Sequence, residues 1–279
     1  SAASDVYKRQ VVGVSLTLFA FKAPQVMTGS PFALVSRESF LLANSVFQVV
    51  ATLVVMLGTL YPLVMDALNL GKLSVGPPYF NLVFVPMMVP VLFLLVPGVV
   101  ARWREANLGE LAKTLLPPAV VSLVIGNLWP WWLGHWSLTA ALGFTLGAWV
   151  GLTSIAHMVT RLRKPGRIAG SFWGMHLAHL GLAVVVIGIT GVKHFEVERD
   201  VRMGLGDTVE IAPYVFRLAQ VTPVKGPNFE AAEGRFEVLR DGQVIEVLRT
   251  QKRKYFSSAM PMTEAGIRSN FWRDLYVSM

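Results

Sequence analysis

Cysteine is absent from all 279 residues. That excludes a disulfide framework, a thiolate metal site and a cysteine nucleophile, so any thiol chemistry needs a partner that brings the thiols. Charge is scarce too. Asp, Glu, Lys and Arg make up 15% of the chain against 53% hydrophobic residues, and mean hydropathy is +0.52. A soluble domain of this length carries more charge. What stands in its place is a series of apolar runs, several of about 20 residues, the length that crosses a bilayer core of roughly 30 Å.

The formal charge is +8, but its placement excludes a nucleic-acid footprint. From Lys193 to the end, 13 Lys and Arg nearly balance 12 Asp and Glu. The excess lies in short connections between apolar runs, where positive charge reports membrane orientation.

Six apolar segments follow one another: Val11–Phe21, Phe40–Val64, Phe80–Ala101, Leu115–Leu133, Leu138–Thr160 and Ser171–Val192. Within lipid every backbone amide needs a partner inside its own segment, so all six are expected to be helices. One set of connections holds Lys22, Arg37, Arg102, Arg104, Lys113, Arg161, Arg163, Lys164 and Arg167, whereas the alternate set holds only Lys72. This asymmetry predicts that the first set is cytoplasmic and that the stretch after Val192 is outside, in the periplasm of a bacterium. Trp129, Trp131, Trp132 and Trp136 crowd the turn between the fourth and fifth segments. They read as an interfacial anchor, or as a wall for a flat ligand. The first ten residues, SAASDVYKRQ, resemble translated sequencing-adaptor read-through and are set aside as a non-native scar. Both ends are expected to be truncated.

After Lys193 the period changes. DTVEIA, YVFRLAQV, RFEVLR and QVIEVLR alternate polar and apolar residues, and Asp241–Gly242 separates two such runs as a hairpin turn. The expected organisation is mainly α: residues 1–10 as a scar, a transmembrane helical bundle over 11–192, and a small periplasmic antiparallel β domain over 193–279. The Lys252–Lys254 cluster reads as a solvated strand edge.

The chain has five histidines. His135 reads as interfacial, His157 as snorkelling beside Arg161, and His194 as exposed. His176 and His179 differ. His179 lies eight residues into its segment, about 12 Å at 1.5 Å per residue, close to mid-membrane. An intramembrane imidazole must face protein or a ligand. Three readings stay open from the residues alone: an interhelical hydrogen bond, an axial ligand to haem iron, and a proton relay.

Four stretches in order, SRESFLLANSVFQVVATLVVMLGTLYPL, GKLSVGPPYFN, WGMHLAHLGLAVVVIGI and VERDVRMGLGDTVEI, resemble the CcmF family of cytochrome c-type biogenesis proteins. The resemblance implies a polytopic protein of the bacterial inner membrane and the haem lyase core of cytochrome c maturation. It implies haem received from the chaperone CcmE, CcmH and CcmI as partners, and apocytochrome c as the acceptor of haem through its cysteines. It further implies a b-type haem held by two transmembrane histidines. The family's A-H-x-G context falls on Ala178-His179-Leu180-Gly181, so His179 is the implied axial haem b ligand and His176 its neighbour. The other ligand, the tryptophan-rich WWD segment and two external histidines have no counterpart here; the WPWW at Trp129–Trp132 is a different pattern. The resemblance thus implies a C-terminal part that does not act alone. Two other classes compete. A transporter or channel would want acidic partners buried in the helices. A quinol-oxidising cytochrome b subunit would want histidine ligands on two helices.

Overall fold

The computed structural model describes residues 2–26, 31–71, 75–257, 260–270 and 273–279; Lys72, the basic residue of the alternate connections, lies outside them. The chain divides into two compact units, one through Glu196 and one from Val197 to Met279.

The first unit is helical. Helix α1 (Ala2–Val26) runs through the apolar Val11–Phe21 stretch and draws the polar residues before it into the same helix. Its side chains from Arg9 to Lys22 are all exposed. Among the described residues, five helices are long and apolar enough to cross a membrane: α2 (Arg37–Ala67), α3 (Pro77–Val100), α4 (Leu108–Trp132), α5 (Leu138–Leu162) and α6 (Gly170–Phe195). Most start up to a turn before the apolar run itself, because caps precede the run. Ser36 accepts the Ser39 amide, Asn107 those of Gly109 and Glu110, and Ser137 that of Ala140. Pro77 opens α3, where its missing N–H costs nothing.

Helix α5 is the hub, packing on α3, α4 and α6. The core joins Leu92 and Val96 of α3, Leu146, Trp149 and Val150 of α5, and Ala183 of α6. Glycine lets the backbones close. Gly143, Gly147 and Gly151, four residues apart, put one smooth face of α5 against Thr190, Ile187 and Ala183 of α6, the small-residue seam by which membrane helices gain packing. Gly126 of α4 sits so close to Thr145 that a Cβ there would lie 2.8 Å from the Thr145 Cα.

Three prolines interrupt the ladder of α3. Pro97 has no N–H for the carbonyl of Phe93, four residues back. That carbonyl instead accepts the indole N–H of Trp149 at 3.2 Å, with the two rings stacked at 6.1 Å. Asn44 of α2 donates to Val91 O in the same helix at 3.1 Å. At one end of the unit, the connection before α2 is laced to the one after α3: Ala33 N to Arg104 O, Arg37 N to Arg102 O and Ala106 N to Val35 O, each 2.8–2.9 Å. The guanidinium of Arg37 lies 4.8 Å from the Trp103 ring. Basic connections that the charge pattern assigned to one side of the membrane therefore meet at one end of the bundle.

The second unit is an antiparallel sheet in the order β1 (Thr208–Ile211), β2 (Tyr214–Lys225), β3 (Phe229–Arg240), β4 (Gln243–Tyr255), β5 (Met262–Glu264), with a separate ribbon of β6 (Gly266–Ser269) and β7 (Asp274–Val277). Asp241 and Gly242 take positive φ, 53° and 77°, and close the β3–β4 hairpin with Arg240 opposite Gln243, as the Asp-Gly pair predicted. Phe216, Leu218, Phe236, Val238 and Leu248 from the large sheet pack with Leu275 of the ribbon, so the core lies between two layers. The Lys252–Lys254 cluster divides by strand alternation. Lys252 and Lys254 are exposed. Arg253 does not join them at a solvated edge: it lies over Phe229, 4.5 Å from the ring centre, and pairs with Glu264 at 2.8 Å.

Candidate functional site

His176 and His179, three residues apart, lie about 60° apart around α6. His176, Ala183 and Thr190 are its buried residues and share the face turned to α5. His179 lies three residues from His176, about 4.5 Å along the axis at 1.5 Å per residue, and is half-buried. Its Nδ1 is 2.6 Å from the carbonyl oxygen of Met175, one turn back. A carbonyl only accepts, so Nδ1 carries a proton; in the neutral ring Nε2 then keeps its lone pair. No side chain or backbone group among the described residues hydrogen-bonds that Nε2. Gly181, two residues on and so on the opposite side of the helix, has open space around it, and Ala178 is exposed.

His194, near the end of the same helix, shows the same tautomer with its other nitrogen filled. Nδ1 lies 2.9 Å from Thr190 O, and Nε2 lies 2.9 Å from the Thr139 hydroxyl of α5. The expectation that His194 is exposed is corrected: it is half-buried and ties α6 to the start of α5. His135 is exposed, edge-on to Phe195 at 5.8 Å.

His176 is 1% exposed. Its Nε2 lies 3.1 Å from Nδ1 of His157 in α5, and its ring meets Phe172 at 4.4 Å and 64°. The expectation that His157 snorkels is therefore also corrected. Near the C-terminal end of α5 its imidazole turns into the α5–α6 seam, because another imidazole there satisfies it. A signal existed in the sequence. If α5 and α6 are antiparallel, the glycines at 143, 147 and 151 fix a register in which position 157 falls opposite 176. That register needs the pairing of the two helices, which one chain's periodicity does not supply.

The donor chemistry suits a porphyrin iron better than a metal cage. Among the described residues no three His, Cys, Asp or Glu converge on a metal position; an axial site needs one neutral imidazole from this helix and a flat space beside it. His179 offers an imidazole nitrogen that no group among the described residues hydrogen-bonds. The acids of the helices lie away from it: Glu38 accepts the Arg104 amide at 2.9 and 3.1 Å, Glu110 pairs with Arg102 at 3.2 Å, and Asp66 is exposed. No acidic partner that a transport path would want is buried beside these histidines among the described residues. The four tryptophans of the α4–α5 turn are exposed, and Trp136 donates to Asn127 at 3.4 Å.

Residues 194–279 match a family model described as the CcmF C-terminal beta-sandwich. The chain is 43% identical over 275 residues to the cytochrome c-type biogenesis protein CcmF of Pseudomonas aeruginosa, and 41% identical over 271 residues to that of Escherichia coli. Each match covers 96% of this chain and 42% of the relative. This chain belongs to the CcmF family. It spans about two fifths of the length of the CcmF relatives it matches. A solved structure titled Cytochrome c Heme Lyase CcmF superposes with a TM-score of 0.69 over 88% of this chain and 40% of that one, at 23% identity, so that likeness is one of fold. The CcmF order of a helical bundle followed by an antiparallel β unit is the order seen here.

Proposed function

We propose that the chain is a membrane part of a cytochrome c maturation haem lyase, in which His179 supplies one axial ligand to a haem b. The observation that carries this reading is the 2.6 Å bond from His179 to the Met175 carbonyl. It commits Nδ1–H to a carbonyl and leaves Nε2 without a hydrogen-bond partner among the described residues, inside an apolar membrane-length helix where an unpaired imidazole is costly. Bound haem supplies reversible one-electron chemistry. The chain's own residues hold it: His179 through Nε2, and the carbonyl of Met175 by orienting the ring. The second axial histidine belongs to sequence outside this chain. Haem passage from CcmE to apocytochrome c, with CcmH and CcmI presenting the acceptor, is the activity proposed for the whole protein. The membrane is the bacterial inner membrane and the β unit is periplasmic, supported by nine basic residues in one set of connections.

The test is the absorption spectrum of the purified full-length protein, wild type against His179→Ala, with exposed His135→Ala as control. Loss of haem b in the His179 variant alone is the expected result. Full haem in that variant would reduce His179 to a packing residue.

A further inference from the structure

The pair formed by His157 and His176 is unexplained by haem ligation. It rests on four observations. The two rings are 5.1 Å apart with nitrogens at 3.1 Å. His176 is almost wholly enclosed. Its Nδ1 is buried and has no hydrogen-bond partner. And His176 is the only buried residue of α6 on the N-terminal side of His179.

The orphan nitrogen sets the protonation. A buried N–H without an acceptor is rarer and costlier than a lone pair without a donor. The arrangement of lower cost therefore leaves Nδ1 of His176 unprotonated, with Nε2–H donating to Nδ1 of His157. Two imidazoles one turn apart on α6 are then held in opposite tautomers: His176 protonated on Nε2, His179 on Nδ1.

Position follows from the same contacts. His179 lies between two fixed points on α5. Toward the C-terminal end of α6, Ala183 sits in the glycine seam, its Cβ 3.4 Å from where a Cβ on Gly151 would be. Toward the N-terminal end the anchor is the bond to His157, with the half-buried Phe172 ring packed on both imidazoles, 5.7 Å from His157 and 4.4 Å from His176. Gly174 meets nothing within 4 Å and Trp173 is exposed, so neither adds a second anchor there. We infer that the His157–His176 hydrogen bond is a rotational clamp on α6 that sets the plane of the His179 imidazole, making His157 a positioning residue for the haem. The inference rests on the ligand role proposed for His179.

The decisive experiment uses the full-length membrane protein. In a low-spin ferric haem with two axial imidazoles, the spread of g values follows the angle between the ring planes, and the midpoint potential follows ligand orientation and hydrogen bonding. His157→Ala should keep haem b at wild-type stoichiometry while changing the g-value spread and shifting the midpoint potential. His157→Asn, whose amide reaches the position of Nδ1, should restore both. Wild-type g values and potential in His157→Ala would overturn the clamp. So would equal loss of haem in the Ala and Asn variants, since that marks a general packing defect. Haem retained in His179→Ala is a separate result, which overturns the ligand reading and this one with it.

Discussion

Trp149 of α5 donates its indole N–H to the Phe93 carbonyl of α3 at 3.2 Å, the acceptor that Pro97 leaves without its helical partner. Trp149→Phe keeps a ring against Phe93 while removing the donor together with part of the buried indole volume. The stranded carbonyl should cost about 1–3 kcal/mol. Reversible unfolding in detergent, followed by helix signal, measures it. A variant as stable as wild type would mean that water already serves that carbonyl.

The α5–α6 seam should distinguish two neighbouring glycines. A Cβ on Gly147 would stand 2.6 Å from Ile187 Cγ1, whereas one on Gly151 meets only the Ala183 Cβ at 3.4 Å. Gly147→Leu is expected to destabilise by roughly 1–3 kcal/mol through overpacking, and Gly151→Ala to be near neutral. Thermal aggregation midpoints in detergent rank the two, and the reverse order would count against the seam.

In the β unit, Glu237 is held by Arg217, whose Nε donates at 3.1 Å, with Arg235 at 3.5 Å. The Arg217 hydrogen bond, more than the surrounding charge, lowers the Glu237 carboxyl below its ordinary range, against a smaller opposing effect of burial. Because the folded value is depressed, the contribution is fully present above the unfolded value of about 4.3. It disappears as pH falls through the lowered value. Arg217→Leu should therefore shift acid unfolding of the β unit to higher pH, read by near-UV circular dichroism. An unchanged acid limb would show the ion pair to be inert.

Leu248 is 4% exposed in the β core, and Val244 on the same strand is 48% exposed. Leu248→Ala should cost about 2–5 kcal/mol and Val244→Ala no more than about 0.5 kcal/mol. Urea unfolding separates them; similar midpoints would mean that the two-layer core contributes little.

The sequence made some of this legible and hid the rest for physical reasons. Five membrane helices, the hairpin at Asp241–Gly242 and the antiparallel β unit follow from run length, turn chemistry and alternation, all local signals. His179 stood out because an imidazole far from either helix end has no water to reach. His157 did not, because it lies beside Arg161 near an end, where snorkelling is the local expectation. Only the antiparallel pairing of α5 with α6 brings it to His176. Arg253 was misplaced for a similar reason: it belongs to a basic cluster in sequence, but alternation along β4 carries it to Phe229. The tautomers of His179 and His194 depend on carbonyls one turn back, which residue types alone do not reveal.

Helix α3 precedes α5 in the chain, yet the Phe93 carbonyl is satisfied only by a residue of α5. During synthesis there is an interval when α3 has entered the bilayer and Trp149 has not. Across that interval a bare carbonyl faces hydrocarbon at a cost of several kcal/mol. Insertion is thus not finished span by span. The proline-rich third helix completes its hydrogen bonding at Phe93 only when the fifth packs against it.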